Sequence, residues 1–220
     1  MRNQYFSLVV LSVCSWSMMA HASPVTQYFS AVELTVLGEY TNGVLVPVGQ
    51  WEFAPSFATG TTVAGYIAYD TDQPDSNPGP YGTYGIGTLS VDIPEIGLSA
   101  LRSSSNMQIS VFDNTPNPDD QFFAYVSGVD SFSNGVGLPD PVSFSVLLFG
   151  DLSMLANDLL PTTPLEWTRG SVSFDFTASD GSGRQVLMTF LPSPVPVPGA
   201  VWLVGAGIAG VAALRRRVRL

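Results

Sequence analysis

The chain has 220 residues, with eighteen acidic side chains against eight arginines, no lysine and a net charge of −10 at neutral pH. Its one cysteine, Cys14, and its one histidine, His21, both precede residue 22. A chain cut after Ala22 therefore has no disulfide, thiolate nucleophile, imidazole base or lysine amine, which excludes Ser-His-Asp and Cys-His catalysis, histidine-bound zinc and Schiff-base chemistry.

The first predicted element is a secretory signal peptide. Arg2 supplies positive charge, residues 6–19 are mostly apolar, and Ala20 and Ala22 flank His21 as the small residues that a signal peptidase reads. The expected cut lies between Ala22 and Ser23. The apolar run is short for a membrane span, which favours cleavage over an uncleaved anchor.

Residues 23–191 are expected to form one exported domain, long enough to bury a core without disulfides. Eighteen acids against Arg102, Arg169 and Arg184 give this part a net charge of −15. Such a surface repels nucleic acid and anionic lipid, so no nucleic-acid partner is expected.

Apolar residues recur here with a period of two. In 32–40, Val32, Leu34 and Val36 alternate with Glu33 and Thr35, and Glu39 is expected on the polar face. Leu89, Val91 and Ile93 alternate with Ser90 and Asp92; Val172, Phe174 and Phe176 alternate with Ser173, Asp175 and Thr177. This is the pattern of half-buried antiparallel strands. Further strands are predicted over 63–69, 107–112, 122–127, 142–149 and 185–191. Asn42-Gly43 reads as a hairpin turn, and Ser133-Asn134-Gly135 and residues 180–183 read as loops. Short strands with such breaks predict an all-β, antiparallel β-sandwich or jelly-roll-like ectodomain. Only 152–160 reads as helical, for about two turns. Residues 160–164, Leu-Pro-Thr-Thr-Pro, read as a loop.

Two acidic stretches are candidate calcium loops. The first holds Asp70, Asp72, Asp75 and Asn77; the second holds Asp113, Asn114, Asn117, Asp119 and Asp120. Calcium takes six to eight oxygens from such side chains and from carbonyls on a bent loop. Neither stretch has the EF-hand spacing, and turn chemistry explains the same residues, since Asp and Asn bond their own backbone. Trp51, Tyr66, Tyr81, Tyr84, Phe123 and Tyr125 are candidates for an aromatic platform that binds sugar rings, against core packing as the alternative. Paired carboxylates could also serve glycoside hydrolysis, although no sequence pattern shows which two would meet.

The chain closes with a Pro-rich stalk, 192–198, an apolar run and arginines. Residues 195–214 carry no charge, about twenty residues, enough to cross a hydrocarbon core of roughly 30 Å as a helix. One C-terminal transmembrane helix is therefore expected over 199–214, with residues 215–220 as its cytoplasmic tail. Arg215, Arg216, Arg217 and Arg219 orient it with the ectodomain outside, in agreement with the signal peptide.

Val195, Pro196, Pro198, Ala200, Trp202 and Leu203 match the pattern V-P-x-P-x-A-x-W-L. With the apolar run and arginine cluster behind it, this tail resembles a PEP-CTERM sorting signal of the proteobacterial type; Val197 replaces the usual Glu between the prolines. The resemblance covers about the last 25 residues. It implies an exosortase substrate of a Gram-negative cell, processed near the proline motif, with signal peptidase as the other processing enzyme. It also implies an inner-membrane anchor with a periplasmic ectodomain, then a cell-surface or extracellular location, often with exopolysaccharide or biofilm. On these grounds the chain reads as a non-catalytic envelope or matrix protein with no cofactor. The competing readings are a calcium- or carbohydrate-binding module and a carboxylate-based glycoside hydrolase.

Overall fold

The computed structural model describes residues 24–57, 59–76, 82–105, 107–113, 119–151, 154–155, 157 and 159–192. The expected signal peptide with Ala20, Ala22 and Ser23, the sorting motif, the apolar run and the arginine tail lie outside these residues, as do Asn77 and Tyr81.

The strands in chain order are β1 Val25–Ala31, β2 Leu34–Thr41, β3 Val44–Leu45, β4 Val63–Tyr69, β5 Gly82–Tyr84, β6 Gly87–Ile93, β7 Leu98–Ser104, β8 Met107–Phe112, β9 Asp120–Ser127, β10 Ser131–Ser133, β11 Ser143–Gly150, β12 Arg169–Thr177 and β13 Gly183–Phe190. They form two antiparallel sheets. The smaller runs β1-β4-β6-β7-β10 and the larger runs β3-β2-β13-β12-β11-β9-β8-β5. The all-β, sandwich-like expectation holds.

Alternation explains most of the strands. On β12, Val172, Phe174 and Phe176 are buried; on β6, Leu89, Val91 and Ile93 are buried. These inward faces meet between the sheets. Phe29 of β1 stacks on Phe190 of β13 with centroids 5.7 Å apart, and Tyr69 of β4 packs on Phe122 of β9 at 5.5 Å. Each such buried ring contributes about 1.5–3 kcal/mol relative to exposure. Two 3-10 turns, Val48–Gln50 and Ala54–Ser56, lie in the segment between β3 and β4. That segment brings Phe53 to within 4.8 Å of Phe176 and Phe57 to within 5.8 Å of Phe174.

The Asn42-Gly43 turn forms as expected, with φ of 51° and 75°, the left-handed pair that a tight hairpin between twisted strands requires. Three expectations are corrected. Among the described residues there is no α-helix, and those of 152–160 run as bends and irregular chain. So short a stretch cannot nucleate a helix by itself. Tertiary bonds hold it instead: Leu155 and Leu160 are buried, and the Leu155 N–H donates to the buried Asp120 carboxylate at 2.7 Å. Second, Val32 is exposed, ahead of the strand rather than on its apolar face. Third, Glu39 is wholly buried rather than on the polar face. The pairing of β2 with β13 slips between Val36↔Met188 and Gly38↔Leu187, leaving Leu37 as an extra residue. A bulge of one residue reverses the alternation after it, so Glu39 turns inward opposite Val186. Gly38 makes the bulge possible: its φ is +154°, and a Cβ there would lie 2.5 Å from the Leu45 side chain.

Strand β1 alternates in burial but not in polarity. On β1 the inward position between Val25 and Phe29 is Gln27, which looks polar but is fully buried. Its amide donates to the Tyr69 hydroxyl at 2.8 Å and to the Thr163 carbonyl at 3.1 Å, and accepts from the Leu165 N–H at 2.9 Å. Tyr69 in turn donates to the Pro161 carbonyl at 2.9 Å. These bonds pin the 160–165 loop against the core.

Candidate functional site

A groove of about 940 Å³ lies on the outward face of the larger sheet. Its floor follows from strand register. Ser171 lies opposite Thr189, and Thr189 lies opposite Thr35, so β12, β13 and β2 present three short hydroxyl side chains in one row. Longer side chains rise around that row. Phe149 and Arg169 are cross-strand partners on β11 and β12, and the Arg169 guanidinium sits 4.4 Å above the Phe149 ring. Leu187 stands two residues from Thr189 on the same face, and Val32, Glu33, Leu191 and Pro192 close the other side. Short residues between long ones make the face concave.

Arg169 is the most exposed of the three arginines in the domain, at 53% of its side chain, against 26% for Arg102 and 15% for Arg184. Its Nη2 pairs with the Asp119 carboxylate. A cation stacked on a ring keeps its donors at the rim while the ring beneath supplies apolar surface. Register places Arg169 on Phe149 and charge places it on Asp119.

The proposed calcium residues behave as turn builders where they are described. Asp70 Oδ1 accepts the Asp72 N–H at 3.1 Å, and Asp75 Oδ1 accepts the Thr83 N–H at 2.8 Å. Gln73 adds a clamp, donating to the Ile86 carbonyl at 2.6 Å and accepting the Ile86 N–H at 2.7 Å. Among the described residues no three His, Cys, Asp or Glu side chains gather as metal ligands. In the second acidic stretch, Asp119 and Asp120 separate: Asp119 faces Arg169, while Asp120 points inward to Leu155.

The candidate aromatic residues do not assemble into one platform. Tyr84 is core. Trp51 donates its indole N–H to the Val46 carbonyl at 2.7 Å. Tyr66 pairs with the exposed Tyr28 on the smaller sheet, with centroids 6.2 Å apart and planes tilted by 53°. Phe123 and Tyr125 are half-buried on the outward side of β9. None of these lines the groove. The residues that do, Thr35, Phe149, Arg169, Ser171 and Thr189, carry no sequence signal beyond outward positions on strands.

Several surface carboxylates fasten loops. Asp130 accepts the Ser103 N–H at 2.7 Å and pairs with Arg102 at 2.6 Å; the backbone bond first, and the arginine after it, holds its carboxyl below the usual aspartate range. Glu95 is lowered by the Thr62 hydroxyl and N–H, and Asp180 by the Ser182 hydroxyl and N–H.

Compared with protein-family models, with curated proteins and with solved structures, the chain matches none of them.

Proposed function

We propose that this chain is a non-catalytic, exported protein of a bacterial envelope or extracellular matrix, carried out by its signal peptide and presented to an exosortase through its C-terminal segment. The observation that carries the reading is where the sandwich stops. The buried cluster of the described domain closes with Phe190, and Leu191 is already 74% exposed. The Pro-rich stalk and an uncharged run of about twenty residues follow, then the arginines. A folded, water-facing unit next to an apolar run suits display outside a membrane. Among the described residues no helix is long and apolar enough to cross one, and the run itself lies beyond them.

Glycoside hydrolysis needs two carboxyl groups facing across the scissile bond. Among the described residues that line the groove, Glu33 is the one acid.

The experiment is the C-terminal mass of the mature protein isolated from its native envelope. A chain ending near Pro198, with or without an attached group, is the expected result. A chain ending at Leu220 would reduce the tail to a plain single-pass anchor and remove the exosortase from the proposal.

A further inference from the structure

We propose that the groove on the larger sheet binds an extended, uncharged polysaccharide chain. This site meets the tail at Pro192, the first residue of the stalk, and does not depend on how the tail is processed near Pro198.

Shape comes first. The groove crosses β11, β12, β13 and β2 rather than running along one strand. Four strands spaced about 4.8 Å apart give a floor of roughly 14 Å, enough for a short run of sugar rings. A peptide that adds itself to a sheet needs an open edge. Here the floor strands β12 and β13 are paired on both sides, and on β2 the Leu34 N–H and carbonyl beside Thr35 are bonded to Thr61 and Gly60.

The polar groups then narrow the class. A sugar hydroxyl both donates and accepts, and it is best met by a mixed set. Ser171, Thr189 and Thr35 can each do either, Glu33 only accepts and Arg169 only donates. An apolar ligand would strip water from these hydroxyls without replacing it. A polyanion would meet one guanidinium already facing Asp119, the Glu33 carboxylate, and a domain of net charge −15. The Phe149 ring and the Leu187, Val32 and Leu191 side chains supply the apolar patches on which the C–H faces of sugar rings rest. An uncharged glycan uses both kinds of surface.

The test titrates the full-length chain, held in a detergent without a sugar headgroup, with cellohexaose, laminarihexaose, isomaltohexaose and, as the acidic comparator, hexagalacturonate, by calorimetry. Binding of at least one neutral hexasaccharide is expected, with none of hexagalacturonate. Thr35→Trp places bulk on the floor from an exposed position, and Arg169→Ala removes an exposed donor. Each is expected to weaken binding at least about tenfold while the melting temperature shows a folded protein. Ser99→Trp, exposed on the smaller sheet, is expected to bind as the unaltered chain does. No binding of any neutral hexasaccharide, tighter binding of hexagalacturonate, or full affinity in both groove variants would overturn the proposal.

Discussion

The buried carboxylate of Glu39 faces the guanidinium of Arg184 across 3.5 Å. Its other oxygen accepts the backbone N–H groups of three successive residues, Glu52 and Phe53 at 2.8 Å and Ala54 at 3.0 Å. One side chain thus fixes the segment that delivers Phe53 and Phe57 to the core. Arg184 is itself held, with Asp180 at 3.5 Å and the Ser182 hydroxyl at 3.1 Å. A buried charge with these partners is costly to remove in part. Glu39→Ala strands the N–H groups of Glu52, Phe53 and Ala54 and a cation, and a loss of about 3–5 kcal/mol is expected in chemical denaturation. Glu39→Gln keeps a carbonyl for the N–H groups and loses the ion pair, so a smaller loss is expected. Equal stability of all three proteins would show that the contact is idle.

Gly65 on β4 marks a point of close approach within the smaller sheet. A Cβ there would lie 2.1 Å from the Ser90 carbonyl oxygen and 2.4 Å from the Phe29 ring. The carbonyl belongs to the neighbouring strand and cannot swing away. Gly65→Ala must therefore part β4 from β6 or displace Phe29 from Phe190. A destabilisation of about 1–3 kcal/mol is expected, the usual cost of overpacking. An unchanged melting temperature would mean that the strands separate freely there.

Tyr69 gives an alkaline signature. Burial pushes its hydroxyl up to about 12, against a smaller lowering by the Gln27 amide. A phenol with a raised folded pKa contributes stability that is fully present below its unfolded value, near 10, and is lost as pH rises through about 12. Ultraviolet titration is expected to show one tyrosine ionising about two units late, and stability falling between those limits by on the order of 2 kcal/mol. In Tyr69→Phe that late step disappears. The Gln27 amide and the Pro161 carbonyl also lose a partner, for about 1–3 kcal/mol at neutral pH.

The acidic loop at 70–76 makes a prediction about metal. Asp75 Oδ1 accepts the Thr83 N–H, and Asp70 Oδ1 accepts the Asp72 N–H. Oxygens engaged in turns need no ion to order them. The melting temperature is expected to stay the same with millimolar calcium and with a chelator. Asp75→Ala is expected to cost about 1 kcal/mol under both conditions. A calcium-dependent rise that Asp75→Ala abolishes would favour the metal reading for this loop.

Local alternation made strands with apolar residues at every second position legible, but not β1, β5, β7 or β10. Period-two burial needs only local order, so strands such as 63–69 and 107–112 and the Asn42-Gly43 turn were legible residue by residue. The chain has no lysine, and residues 24–192 hold no histidine or cysteine, so whatever the fold no lysine amine, imidazole or thiolate chemistry arises within that span. Tertiary structure decided everything that depends on a partner far along the chain. Gln27 looks out of place on β1 until Tyr69, Thr163 and Leu165 meet its amide. Glu39 looks exposed until one extra residue at Leu37 turns it inward to Arg184 and the 52–54 backbone. The groove is the clearest case. Thr35, Ser171 and Thr189 lie far apart in the chain and are ordinary outward strand residues by sequence. They become one floor because antiparallel register brings β2, β13 and β12 side by side, and register is fixed by long-range pairing that no local pattern encodes.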